Sequence, residues 1–322
     1  MKFAKPVLKV LISAVLIAIV VQAFDVRGIG AHFAKVDALS LGIAIGVALS
    51  MAPLHTLRWM AVLRTAGDTR LGFPAALQIV LIGHFFNQTL PSSVGGDAVR
   101  AWCAWRAGVR FATAAGTVIV DRGLTLVALL LLAACGLPWL FERIADPVPR
   151  WALSSVVFAG LAGFTAFIAL VDLPRFLTRW RVVRAVLAVA ALARRATFDP
   201  RAATTVIGLS AVSFIGFAYI VSRLAAAMQL PVTFADCVLL VPPVILVTIV
   251  PVSIAGWGVR EGAMVVAFGF IGVPPSAAFA VSVLFGLTLA VASLPGSVLW
   301  LASGYKVKNV VAQSAVAGRD TG

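Results

Sequence analysis

The sequence predicts an all-α, polytopic membrane protein with six full spans and two re-entrant helical hairpins in an inverted repeat. Three observations carry this prediction. The 322-residue chain is 61% hydrophobic and only 12% charged, whereas a soluble domain carries about 25% charged residues. Its apolar residues fall in runs long enough to cross a bilayer. A ten-residue stretch also occurs twice, as P-S-S-V-G-G-D-A-V-R at residues 91–100 and as P-V-S-I-A-G-W-G-V-R at residues 251–260. Pro91 aligns with Pro251, Ser93 with Ser253, Gly96 with Gly256, Val99 with Val259 and Arg100 with Arg260, at a constant offset of 160 residues (251 against 91). A repeat at half the chain length points to two related halves.

Residues 7–24 form the first span. Lys2, Lys5 and Lys9 at its start resemble a signal peptide, but Gln22 interrupts its end and it reads as an uncleaved span. Residues 25–38 are a loop of balanced charge, and residues 39–57 are the second span. Arg58, Arg64 and Arg70 make the next loop basic. Residues 74–90 are an apolar helix opening on a proline suited to a first turn. The first repeat copy follows, with Arg106 and Arg110 beyond it. Residues 113–135 and 151–171 are spans joined by a loop of mixed charge.

Residues 173–201 are the most basic stretch, with Arg175, Arg179, Arg181, Arg184, Arg194, Arg195 and Arg201. Phe176, Trp180, Val183 and Leu187 recur there at helical spacing. This is either an interfacial amphipathic helix on an anionic leaflet or a solvated basic loop. Asp199-Pro200 fits the N-cap and first turn of the next helix. Residues 202–228 are a span. Residues 234–250, interrupted by Pro242-Pro243, lead into the second repeat copy and residues 261–271. After Pro274-Pro275, residues 277–303 are the last span. The expected organisation is one membrane domain, residues 1–305, with halves at about 1–148 and 149–305, and a disordered cytoplasmic tail, 306–322.

The arginines orient these elements, because basic loops stay in the cytoplasm. With both termini cytoplasmic, the loops around Arg58–Arg70, Arg100–Arg110 and residues 173–201 all fall inside only if residues 74–110 enter and leave by one face. The second hairpin, residues 234–271, then opens to the opposite face. Inverted halves with broken helices are the plan of transporters that bind substrate near the bilayer midplane.

At a hairpin tip the returning helix begins with free N–H groups and the positive end of its dipole, which favours anions. Arg100 and Arg260 lie within about one turn of that start. An arginine at mid-bilayer costs about 2.5–3.5 kcal/mol on insertion scales, so two at matched positions call for a role. They either bind an anionic headgroup, phosphate being the natural match for the planar guanidinium fork, or lock the hairpins through internal ion pairs. Asp97, three residues before Arg100, and Glu261 are the candidate partners, although Glu261 directly follows Arg260 and is expected to face another way. Asn87 and Gln88 line the cavity or bond helix to helix. Asp121 and Arg122, adjacent within the following span, are expected to face the interior as a structural pair or a substrate contact. Thr248 and Ser253 are weaker candidates.

Other chemistries find less support. The net charge of +14 comes from arginines between apolar runs and fits anionic lipid headgroups rather than nucleic acid. Cys103, Cys135 and Cys237 have no metal-like spacing, and His32, His55 and His84 lie far apart in sequence, His84 being notable only for preceding the first motif. No metal, cofactor or catalytic residue is expected, and Asp97 with Glu261 is the only acid pair an enzyme reading can offer.

The stretch N-Q-T-L-P-S-S-V-G-G-D-A-V-R-A at residues 87–101, with Arg106 and Gly108 beyond it, resembles the lysylphosphatidylglycerol synthase transmembrane-region family of flippase-like membrane proteins. Pro251 to Glu261 resembles that family's second block, and Asp121-Arg122 resembles its acid–arginine pair in the intervening span. Thr125 stands where the family often carries a further acid. The likeness runs over about residues 7–303. It implies a lipid translocase of a bacterial inner membrane, acting on an anionic or aminoacylated phospholipid or a polyprenyl-phosphate-type lipid. With 19 residues after the last span, lysyl transfer is not expected. A homo-oligomer or a lipid-modifying enzyme partner is compatible with this reading. The alternatives are a membrane enzyme or accessory subunit of envelope-lipid modification, and a small-solute secondary transporter.

Overall fold

The computed structural model describes residue 30 and residues 32–90, 95–143, 147–172, 180–249 and 256–303. The expected first span, the repeat's prolines and serines, and the polar tail lie outside these residues. Within them the regular structure is helical: α1 (Ala38–Thr65), α2 (Phe73–Thr89), α3 (Gly95–Arg106), α4 (Phe111–Arg143), α5 (Pro147–Ala169) with a short 3-10 turn Leu170–Asp172, α6 (Arg181–Phe198), α7 (Pro200–Ala227), α8 (Phe234–Thr248), α9 (Val259–Gly269) and α10 (Pro275–Ala302). Five of them, α1, α4, α5, α7 and α10, are long and apolar enough to cross a membrane.

Local chemistry sets the helix starts. Asp37 caps α1 by accepting from the Ser40 N–H at 3.0 Å. Asp199 caps α7 by accepting from the Arg201 N–H at 3.0 Å, and Pro200 is the first helical residue. Thr233 and Asp236 form a reciprocal capping box at α8. Gly258, at φ +85°, precedes α9 in a backbone conformation that a side chain would strain.

Several boundaries differ from the sequence expectation. α1 runs on through Leu57 to Thr65, so Arg58 is helical and buried rather than part of a basic loop. It continues because Trp59, Met60, Val62 and Leu63 supply an apolar face for burial. α4 likewise continues past Cys135 through Pro138 to Arg143, with Leu137 and Leu140 buried. Pro242-Pro243 do not interrupt α8, which runs through both. α6 falls within the basic stretch, and its apolar stripe continues through Val189, Leu192, Ala193 and Ala196 onto Val62, Val120, Leu124 and Val206. Its C-terminal half is therefore packed on protein, while Trp180 and Val182 at its start are exposed.

The packing follows the sequence repeat. The starts of α1, α2 and α4 lie at 38, 73 and 111, and those of α7, α8 and α10 at 200, 234 and 275. α1 packs against α7. α2 lies on α10 just as α8 lies on α4, α2 pairs with α3 as α8 with α9, and α3 rests on α4 as α9 on α10. The ends of the long helices are exchanged: Leu140 of α4 joins the apolar core built by α7, α8, α9 and α10 with Ala44 and Ala48 of α1, and Trp300 of α10 joins the core built by α1, α2, α3 and α4. Leu140 and Trp300 are 160 positions apart, the offset of the motif.

Candidate functional site

The first hairpin closes through two glycines. Gly83 of α2 and Gly96 of α3 face each other so closely that a Cβ on Gly96 would overlap the Gly83 carbonyl, and one on Gly83 would overlap the Arg100 side chain. Asn87 stitches this crossing, its Oδ1 accepting from the Gly96 N–H at 3.0 Å. Asn87 is thereby a helix-to-helix bond in this structure.

Behind the crossing lies a charged set shared by α1, α3 and α4. Asp121, fully buried, accepts from Nε and Nη2 of Arg58 at 2.7 and 3.3 Å and from Nη2 of Arg100 at 3.4 Å. Asp97 accepts from Nη1 of Arg100 at 3.3 Å and from Nε and Nη2 of Arg122 at 2.6 and 3.1 Å. Arg58 also donates to Ser210 of α7 at 3.3 Å. The Arg100 guanidinium lies 4.9 Å from the Trp59 ring centre, a cation–π distance, and its Nε is buried without a hydrogen-bond partner among the described residues. Three guanidinium groups face two carboxylates, leaving one net positive charge. Arg58, Arg100 and both aspartates are buried, whereas the Arg122 side chain is 49% exposed.

Two expectations are corrected here. Asp121 and Arg122 do not pair with each other: successive positions on α4 point apart, and each takes partners from other helices. Arg58, which stands at the end of an apolar run in the sequence, belongs to α1 and not to the loop expected there. Its signal was its setting, one turn after His55 and beside Trp59 on a face that stays apolar to Leu63.

The second set belongs to α9 and α10 and is neutral. Glu261, at 1% side-chain exposure, accepts from Nη2 and Nε of Arg260 at 2.6 and 3.1 Å, from the Ser282 hydroxyl at 3.3 Å and from the Gly258 N–H. Arg260 and Glu261 therefore pair although adjacent in sequence. The carboxylate turns back to cap the helix start, and the long guanidinium side chain folds over to reach it. Trp257 and Phe285 lie 4.7 and 5.8 Å from the Arg260 guanidinium, and a Cβ on Gly286 would overlap it. Among the described residues no hydrogen bond or ion pair joins the two sets: Asp97 is held by Arg100 and Arg122, and Glu261 by Arg260, Ser282 and Gly258.

The repeat persists in these contacts. Arg100 meets Asp97 three residues earlier, and Arg260 meets Trp257 three residues earlier. Arg122 of α4 binds the hairpin's acid, and Ser282 of α10, 160 positions on, does the same. Next to the first set His55 and His84, far apart in sequence, come together with Nδ1 and Nε2 at 3.1 Å. Gln88 is half-buried on α2, and Thr248 lies against Gly256, whose φ of +79° turns the chain into α9.

Apolar helices of spanning length, wrapped around buried ion pairs that water cannot satisfy, define a multi-pass helical membrane protein. The chain belongs to the lysylphosphatidylglycerol synthase TM region family, whose model matches residues 7–296. No curated protein and no solved structure matches it. Membership ties the protein to membrane lipids.

Proposed function

We propose that the protein is a lipid translocase that moves an anionic or aminoacylated phospholipid, or a polyprenyl-phosphate-type lipid, between leaflets of a bacterial inner membrane. α2/α3 and α8/α9 act as re-entrant hairpins of an inverted repeat, with both termini cytoplasmic. Their short arms support this: α3 and α9, of 12 and 11 residues, reach only about 18 and 16 Å as helices, against a hydrocarbon core of about 30 Å.

The observation that carries the reading is the positive excess of the first set, with Arg122 half-exposed at its edge. Arg122 lies about 16 Å along α4, a helix of about 50 Å, which supports a position for its guanidinium inside the membrane rather than beyond the helix end. Arg122 receives the headgroup phosphate, and Arg100 lies behind it with an unused Nε. Asp97 and Asp121 hold these guanidiniums paired while no lipid is present, and the phosphate takes over their hydrogen bonds as it enters. Binding and locking are then two states of one set. Asn87 keeps the hairpin closed at the site's wall. Arg260 and Glu261 supply the corresponding support in the second hairpin and meet the headgroup from the other leaflet.

The test is a translocation assay in reconstituted vesicles. Phosphatidylglycerol carrying a fluorescent tail is followed by chemical quenching of the outer leaflet. Wild-type protein is expected to accelerate equilibration between leaflets, and Arg122→Ala to return it towards the protein-free rate. Protein-free rates with wild-type protein, for anionic and aminoacylated lipids alike, would overturn the proposal.

A further inference from the structure

Among the described residues, one titratable pair stands outside the ion-pair sets yet touches their surroundings. His55 on α1 and His84 on α2 are both half-buried. Their Nδ1 and Nε2 atoms are 3.1 Å apart, with the rings edge-on at 84° and centres 5.1 Å apart. His55 stands one turn before Arg58. His84 follows Gly83, the residue against which Arg100 lies. The hydrogen bond between the rings needs one N–H and one free lone pair. It holds when the pair is neutral or carries a single extra proton, and fails when both rings are charged.

The charges around the pair come from the helices packed on α1 and α2; α6, which packs on α1 at Val62, carries Arg181, Arg184, Arg194 and Arg195. α1 presents Arg58, α3 presents Arg100 and Asp97, and α4 presents Arg122. Asp121 is held between Arg58 and Arg100. α7 contributes Ser210 to Arg58 and carries Arg201 and Arg223 nearer its ends. α10 has no ionisable side chain. The pair thus faces a set with one net positive charge, and a proton on it raises that charge further. An anion seated among the arginines cancels this repulsion. Anion and proton therefore favour each other's binding, and the coupling is reciprocal. Ionisable side chains inside membrane spans mark ion pathways and proton relays.

We infer that His55 and His84 form a proton-binding site coupled to the anion site, so that the protein takes up a proton as an anionic headgroup enters and gives it up as the headgroup leaves. This rests on the headgroup reading above and supplies a means of driving transport with a proton gradient.

The experiment uses the full chain in detergent and short-chain phosphatidylglycerol, whose phosphodiester keeps a single charge through neutral pH. Binding and proton uptake are measured together in weakly buffered solution with a pH indicator. The expected result is uptake of up to about one proton per lipid bound, with Kd falling by up to about tenfold per pH unit as pH is lowered through the pair's titration. In His55→Gln/His84→Gln the uptake and the pH dependence are both expected to vanish. Wild-type binding without proton uptake, at constant Kd from about pH 5 to 8, would overturn the inference and leave the headgroup reading standing. No binding at any pH would remove both. Undiminished uptake in the double variant would overturn the assignment to these histidines. Glycerol phosphate as a second probe separates a lipid site from one for a free phosphate ester, and binding of the free ester as tight as that of the lipid would overturn the lipid-headgroup assignment.

Discussion

Arg58 donates from Nε to Oδ1 of Asp121 at 2.7 Å, tying α1 to α4 inside the protein. The two residues are 63 positions apart. Asp121 also faces Arg100, so a single carboxylate holds two guanidinium groups where water cannot replace it.

Removing that carboxylate charge should therefore be costly. Asp121→Asn leaves Arg58 with no carboxylate partner and Arg100 with Asp97 alone. A broken buried ion pair typically costs about 3–5 kcal/mol. A large fall in the thermal midpoint in detergent is expected, and an unchanged midpoint would show that the set is not held by Asp121.

The Gly83–Gly96 crossing predicts a sharp positional contrast. Gly83→Ala and Gly96→Ala place a methyl into Arg100 and the Gly83 carbonyl respectively, whereas a Cβ on Gly46 of α1 meets nothing within 4 Å. Overpacking costs about 1–3 kcal/mol, while alanine in an open helical position gains up to about 1 kcal/mol over glycine. Melting curves of Gly83→Ala, Gly96→Ala and Gly46→Ala should separate in that order of sign.

Asn87→Ala removes the side-chain acceptor of the Gly96 N–H. A loss of about 1 kcal/mol is expected, with faster hydrogen exchange at the start of α3 than elsewhere in the protein. Exchange that rises equally in α9 would show that the effect is not local to the first hairpin.

Asp37, at the exposed start of α1, gives a pH dependence of known sign. The hydrogen bonds from Ser40 and the nearby Arg223 charge hold its carboxyl below the usual carboxylate range. Its contribution to α1 is then fully present above the ordinary value of about 4 and is lost as pH falls through the lowered folded value. Protection of the Ser40 amide should weaken on acidification in the wild type, and Asp37→Asn should remove that dependence.

The five spanning helices within the described residues were legible because apolar runs of that length have few other uses. The repeat was legible because Pro, Gly and Arg recur at one offset, and the exchanged positions of Leu140 and Trp300 follow it. The partners were not legible. Asp97 with Arg100 is a local pair at helical spacing, but Arg58 with Asp121 and His55 with His84 join distant segments and leave no periodic trace. An arginine after an apolar run is the usual mark of a cytoplasmic loop, and nothing local distinguishes Arg58, whose carboxylate partner lies on another helix. The helical angle between Arg260 and Glu261 does not reveal their pairing, which depends on the turn of the carboxylate back onto Gly258 and the reach of the Arg260 side chain.

The central claim is that the first charged set receives a lipid headgroup. An experimental structure of the protein in phosphatidylglycerol nanodiscs tests it most directly. Headgroup phosphate density is expected within hydrogen-bonding distance of Arg122, with Arg100 next behind it. Lipid phosphates confined to the two bilayer surfaces, with Asp97 and Asp121 still holding all three guanidiniums in every conformation seen, would contradict it.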